Sequence, residues 1–409
     1  MVQRIGLVLA CVFFIACQKK TSDTVFTEYS KKQSDSCAST RIQSQFLVEW
    51  ETGDITVEHA TDAQTFKETF VENNLHLIKR VEFNKRIQMR TDSTTLSTTA
   101  TDVTWGQTMI EAQAVWDQGV KGQGIKVAVV DAGIDYFHPQ IFPQLDENAA
   151  ERNGASDKDD DGNGLVDDQY GWDFAGNQPD PMVTANSGND HGSHVAGIIL
   201  ADHESGPMKG VAPQAKLVPV NFMDAHGGGD LATAIKAVKY AASRGVRVIN
   251  ASWGGPVCSD TLRDTIRALA DQNILFVAAA GNEGLDLDIH PDYPANFTFL
   301  NQLTVGASRN SDKMATWSNN SFNFVQLAAP GDTILSTVPG GYAYMSGTSM
   351  AAPFVSGAAA LLWSARPGAT FQQIRQALLS GVDVRDYRVQ TRGRLNAKKA
   401  LEELKKLVP

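Results

Sequence analysis

Six short runs dense in β-branched and other apolar residues, Ile125–Val130, Lys216–Val220, Val246–Ala251, Ile274–Ala279, Leu303–Ala307 and Val325–Ala328, are separated by stretches with helical spacing. Strands that alternate with helices are not joined by tight hairpins; each return to the same end of a sheet needs a crossover, which the helix supplies. The pattern predicts an α/β fold for residues 105–402, a parallel twisted sheet with helices on both faces. The candidate helices are His191–Ala201, Asp230–Ser243, Ser259–Gln272, Ser349–Ser364 and Phe371–Ser380. The fourth carries Pro353, taken to lie in the first turn, where a missing N–H costs no helical hydrogen bond.

The chain of 409 residues is long enough for smaller leading segments before this unit. Arg4 precedes an apolar run, Ile5–Ala16, too short to span a bilayer, so residues 1–17 read as a signal peptide. It ends on Phe14-Ile15-Ala16-Cys17, which resembles a bacterial lipobox. That resemblance implies a lipid anchor at Cys17 and a destination in the cell envelope or outer membrane; ordinary cleavage and secretion is the alternative. Residues 18–42 are polar and poor in aromatics, a solvated tether. Residues 43–90 read as a small α/β module, with a strand at Phe46–Trp50 and helical spacing from Asp62 to Leu77 through Phe66 and Phe70. Residues 91–104 are rich in Ser and Thr without periodicity, an exposed linker open to proteolysis. Of four cysteines, the leader takes Cys11 and lipidation takes Cys17. Cys37 and Cys258 are expected to stay unpaired, being far apart in sequence, although an oxidising compartment permits a bond.

Apolar residues at 42% and charged residues at 20% describe a folded protein. A net charge of −10 offers no basic face for phosphates, which argues against a nucleic-acid partner.

Asp131 follows the apolar strand and precedes Ala132-Gly133, at a strand's carboxyl end, where reactive groups collect in parallel sheets. His191 opens His191-Gly192-Ser193-His194-Val195-Ala196-Gly197 at the start of a helix. His194 suggests a metal pair, but no acidic ligand follows at metalloprotease spacing, so acid–base use is favoured. Ser349 stands in Gly347-Thr348-Ser349-Met350-Ala351-Ala352-Pro353 at another helix start. A weak hydroxyl nucleophile needs an imidazole to take its proton and a carboxylate to fix that imidazole's tautomer; Asp131, His191 and Ser349 meet all three requirements.

Those three motifs, in the order Asp, His, Ser, resemble the catalytic motifs of the subtilisin-like serine peptidases. The resemblance runs from about Trp105 to Leu401 and implies hydrolysis of peptide bonds in proteins through an acyl-enzyme on Ser349. It also implies an oxyanion donor at Asn282, in Ala280-Gly281-Asn282-Glu283-Gly284. Gly227, Gly228 and Gly229 lie where the family presents an edge strand to substrate, and Ser252, Trp253 and Gly254 border the pocket for the residue before the scissile bond. Trp253 replaces the common Leu and is expected to reshape that pocket; Ala132 and Ser193 are smaller departures.

Asp157, Asp159, Asp161, Asn163 and Asp168 follow D-x-D-x-D-G spacing with an acid at the twelfth position, the oxygen-rich pattern that suits Ca2+. Asp168 is shorter than the usual Glu. The 43–90 module resembles the family's inhibitory propeptides, so the chain's own leading module is an expected intramolecular partner, released by cleavage in or near the linker. Two rivals stand beside this reading: a catalytically silent scaffold of the same fold, and an esterase or transacylase using the same acyl-enzyme.

Overall fold

The computed structural model describes residues 21–25, 40–88, 93–95, 103–183, 189–256 and 258–408. The leader with Cys17, most of the tether and much of the linker lie outside the described residues.

In the leading module, β1 (Arg41–Trp50), β2 (Ile55–His59) and β3 (Ile78–Gln88) pair antiparallel in the order β2-β1-β3. Alternate residues point inward, so Phe46 and Val48 meet Val81 and Phe83 under Phe66 and Val71 of the intervening helical stretch. Phe46 stacks on Phe66 with ring centroids 4.3 Å apart; each such burial contributes about 1.5–3 kcal/mol. Asp62 caps this stretch by accepting the Thr65 N–H at 2.8 Å. The stretch ends at Asn74, short of the expected Leu77, which is 47% exposed.

β4 (Ser93–Thr95) precedes the large unit. There the strands are β5 (Lys126–Asp131), β6 (Trp172–Asp173), β7 (Lys216–Asn221), β8 (Gly228–Asp230), β9 (Val248–Ala251), β10 (Leu275–Ala279), β11 (Gln302–Ser308) and β12 (Leu327–Pro330). They are followed by β13 (Ile334–Val338), β14 (Gly341–Ser346), β15 (Asp383–Val384) and β16 (Gly393–Arg394). Among the described residues the main sheet runs β15-β16-β12-β11-β10-β9-β5-β7-β6, parallel from β6 to β16 and antiparallel at β15. Strand order reverses at β5, and in such sheets the reactive crevice opens beyond the carboxyl ends at that switch.

The longer helices among the described residues are α1 (His191–Leu200), α2 (Leu231–Ser243), α3 (Asp260–Ala268), α4 (Thr348–Ala365), α5 (Phe371–Ser380) and α6 (Ala397–Leu407). Side chains of β5 alternate between two layers: Val127 and Val129 face the core of α1, α4 and α5, while Ala128 and Val130 face that of α2 and α3. The α/β fold with helices on both faces is as expected.

The module docks on the starts of α2 and α3, whose first N–H groups have no intrahelical partner. Glu82 accepts the Thr261 N–H at 2.8 Å and its hydroxyl at 2.6 Å, and Asn84 accepts the Ala232 N–H at 3.3 Å. A carboxylate there also complements the helix dipole. Arg80 pairs with Asp264 at 2.6 Å, and the buried Lys85 donates to the Cys258 carbonyl. Cys258 is disulfide-bonded, which corrects the expectation of an unpaired thiol; Cys11, Cys17 and Cys37 fall outside the described residues.

Candidate active site

Asp131 is the last residue of β5 and 1% exposed. Its Oδ1 accepts the Ala132 N–H at 2.8 Å and the His191 Nδ1–H at 2.7 Å, while Oδ2 is buried without a hydrogen-bond partner among the described residues. His191 is the first residue of α1, and the helix reaches the strand end only because position 192 has no side chain: a Cβ there would stand 2.2 Å from the Gly133 carbonyl oxygen. With the proton held on Nδ1, a neutral His191 keeps Nε2 as its acceptor. His194 has another role. Its Nε2 donates to the carbonyls of Ile334 and Ala343, both at 3.0 Å, and burial pushes its pKa down to about 3. It is a neutral pin between α1 and the β13–β14 hairpin.

Ser349 is the second residue of α4 and 4% exposed; its hydroxyl donates to the Ser252 carbonyl at 3.2 Å. Pro353 lies inside α4 rather than in its first turn, so the Ser349 carbonyl does lose its helical donor. Ser252 Oγ supplies the missing bond at 2.9 Å, itself held by Asn250. The bond ties the Ser349 backbone to the segment just past β9 that carries Ser252.

Asn282 follows β10 after Gly281, whose φ of 102° belongs to glycine. The Asn282 Oδ1 accepts both the Thr348 N–H at 2.9 Å and the Thr348 hydroxyl at 2.8 Å, which fixes the amide and leaves its NH2 as the donor end. Ser252, Trp253, Gly254, Asn282 and Ser349 line one cavity, and so does Asp292. Sequence reading missed Asp292, a loop residue between two prolines that no motif marks. The Trp253 indole is 3% exposed, donates to the Val130 carbonyl at 2.9 Å and meets the Phe222 ring at 5.0 Å.

Gly228 and Gly229 belong to β8, with Gly227 just before it at φ 71°. The edge expected to receive an extended peptide already holds one from the same chain: β3 pairs antiparallel with β8, Arg86 opposite Asp230, Ile87 opposite Gly229 and Gln88 opposite Gly228. β4 pairs with β14, placing Ser93 opposite Ser346.

The acidic loop is rearranged relative to its motif. Asp159 and Asp161 gather with Glu151, one carboxylate oxygen from each lying within 4.8 Å of the others. The backbone N–H of Gly164 and its neighbours hold the Asp159 carboxyl below its usual range. Glu151, which the spacing could not reveal, comes from a preceding helical turn and also accepts the Asp160 and Asp161 N–H groups. Asp168 is fully buried and accepts from Tyr240 at 2.5 Å and Asn148 at 2.9 Å, and burial raises its pKa. Asn163 donates to Asp161 and Asp168, and the Asp157 N–H to Asp167. Asp157, Asn163 and Asp168 are therefore not in the three-carboxylate cluster.

The chain matches the subtilase family over residues 122–399, a span that contains Asp131, His191, Asn282 and Ser349. It is 39% identical over 261 residues to an intracellular serine protease of Paenibacillus polymyxa, covering 63% of this chain and 72% of that protein. It is 37% identical over 283 residues to subtilisin E of Bacillus subtilis (strain 168), covering 69% of this chain and 66% of that protein. Against the subtilisin of Bacillus pumilus it is 36% identical over 283 residues, 92% of that protein. The chain belongs to the subtilase family, and it is a serine-type endopeptidase acting on proteins.

Proposed function

We propose that Ser349 is the nucleophile of this peptidase, that His191 takes its proton and returns it to the leaving amine, and that Asp131 holds His191 in the Nδ1–H tautomer. The observation that carries this is the 2.7 Å Asp131–His191 bond at the carboxyl end of β5. The oxygen of the tetrahedral intermediate is held by the Asn282 NH2 and by the Ser349 N–H, one of the helix-start donors without an intrahelical acceptor. For subtilisin, a relative, losing such a side-chain donor costs about 10²–10³ in turnover. A fluorophosphonate probe should label Ser349 of the active chain, casein should be cut, and amide substrates should turn over as well as esters. A folded chain that takes no label is the silent scaffold, and one that cuts only esters is an esterase.

The leading module acts as an intramolecular inhibitor. Its support is the β3–β8 pairing, which occupies the substrate edge, and the Glu82 contact at the start of α3. Lys85 gives this docking a pH dependence: burial lowers its pKa to about 8, against about 10.4 for an exposed lysine. The docked state disfavours the charged amine, so the penalty is in full force below pH 8 and fades as pH rises toward about 10.4. In the full chain carrying Ser349→Ala, the thermal midpoint should gain on that of its Lys85→Arg derivative across this window, since arginine keeps its charge. A constant gap between the two would remove Lys85 as the cause.

Glu151, Asp159 and Asp161 suit a calcium ion, which supplies the positive charge that offsets three crowded carboxylates. Calcium at about 100 times its dissociation constant contributes about 2.7 kcal/mol. EDTA should therefore lower the midpoint by roughly 5–10 °C, and Asp159→Asn should abolish that response. An EDTA response unchanged in Asp159→Asn would place the ion elsewhere. The Cys17 motif supports export with a lipid anchor.

A further inference from the structure

A polar side chain interrupts the apolar face that the sheet turns toward α4. In register, Asn250 of β9 lies between Val129 of β5 and Val277 of β10, two members of the core beneath α4, and it is fully buried. A buried amide costs free energy unless both its ends are bonded. The Asn250 Oδ1 accepts the Ser356 hydroxyl at 2.8 Å, and its NH2 donates to Ser252 Oγ at 2.9 Å. Ser252 then meets Ser349 twice. Its hydroxyl donates to the Ser349 carbonyl at 2.9 Å, and its own carbonyl accepts the Ser349 hydroxyl at 3.2 Å.

This chain of bonds has a direction. Ser356 donates to Asn250, Asn250 to Ser252 and Ser252 to Ser349, and bonds in such a series polarise one another. The Ser356 proton also fixes which end of the amide faces Ser252. Were the amide reversed, its oxygen would face Ser252 Oγ and draw that proton away from the Ser349 carbonyl, which has no helical donor because residue 353 is proline. Ser356 stands about two turns along α4 from Ser349. The chain therefore leaves α4, passes through β9 and returns to the first turn of the same helix.

We propose that Ser356 and Asn250 are positioning residues for the nucleophile: acting through Ser252, they hold the first turn of α4 where Ser349 Oγ and the Ser349 N–H both meet the scissile carbonyl. The inference rests on the reading of Ser349 as nucleophile and adds no step to its reaction. Both residues are 0% exposed and stand behind Ser252, away from the peptide. Their loss should therefore appear in turnover rather than in substrate binding.

The test is a mutant cycle on enzyme produced from the full chain, read by kcat and KM on one peptide, by the rate of fluorophosphonate labelling and by a thermal melt. Ser356→Ala should lower kcat about tenfold and Ser252→Ala about 100-fold, the latter being the scale for misplacing a reacting group by about 1 Å. KM should stay unchanged in Ser356→Ala, and labelling should slow in proportion to kcat. The double variant should match Ser252→Ala alone, because without the Ser252 hydroxyl Ser356 has nothing to act through. Asn250→Val combined with Ser356→Ala should lose at least as much kcat as Ser356→Ala while its melt holds, since apolar groups that replace both partners of a buried bond cost little. Losses that multiply in the Ser252→Ala, Ser356→Ala pair would make Ser356 independent of Ser252 and overturn the proposal. Unchanged kcat in Ser356→Ala, with or without a lower melt, overturns it too, and so does a rise in KM with kcat kept. Wild type that neither takes the label nor cuts any peptide would instead remove the reading of Ser349 itself.

Discussion

Ser349→Ala should lower kcat by about 10⁶-fold and leave the fold in place. The scale is that measured on subtilisin, a relative, where loss of the serine alone costs about as much as loss of the whole triad. What this geometry adds is the reason stability should survive. The helix cap is Gly347, with no side-chain cap bond, so the Ser349 hydroxyl does not hold α4 together. The hydroxyl donates a 3.2 Å bond to the Ser252 carbonyl, worth about 1 kcal/mol, and alanine is the better helix former. Kinetics on a protein substrate and a thermal melt of the same sample check both halves. Activity within tenfold of the parent would remove Ser349 as nucleophile, and a collapsed melt would mean that the hydroxyl is structural.

The division between what sequence reveals and what it hides follows the physics of each element. Parallel strands buried on both faces read as continuous apolar runs, and all six expected strands appear within two residues of their expected ends. The β13–β14 hairpin was not foreseen, because β14, Gly-Tyr-Ala-Tyr-Met-Ser, has no β-branched residue and both strands sit outside that sheet. Asp131, His191, Asn282 and Ser349 were legible because each stands at the end of a periodic element, where the chain's own turn positions the side chain. Asp292 and Glu151 were not, since each reaches its site from a loop or short turn through tertiary closure. Pro353 shows the intermediate case. Its missing donor was visible in the sequence, and so to within one residue was the helix start, but the Ser252 hydroxyl that replaces the bond was not.

Asp131→Asn carries the second large effect, and here too the neighbours decide the form it takes. An amide offers one oxygen and one NH2 where the carboxylate offers two oxygens. Keeping the oxygen at the Oδ1 position preserves the bonds from Ala132 at 2.8 Å and His191 at 2.7 Å, but turns the NH2 toward the Oδ2 position, where no partner waits among the described residues. Flipping the amide sets its NH2 against both donors and forces His191 into the opposite tautomer. Neither orientation supplies the negative charge that stabilises the imidazolium as it forms. The loss should therefore reach about 10⁴-fold and fall on kcat rather than KM, because Asp131 lies behind His191 and away from the peptide. Steady-state kinetics on one good peptide settle this. A variant that loses affinity but keeps turnover would mean that Asp131 shapes the binding cleft and does not orient the base.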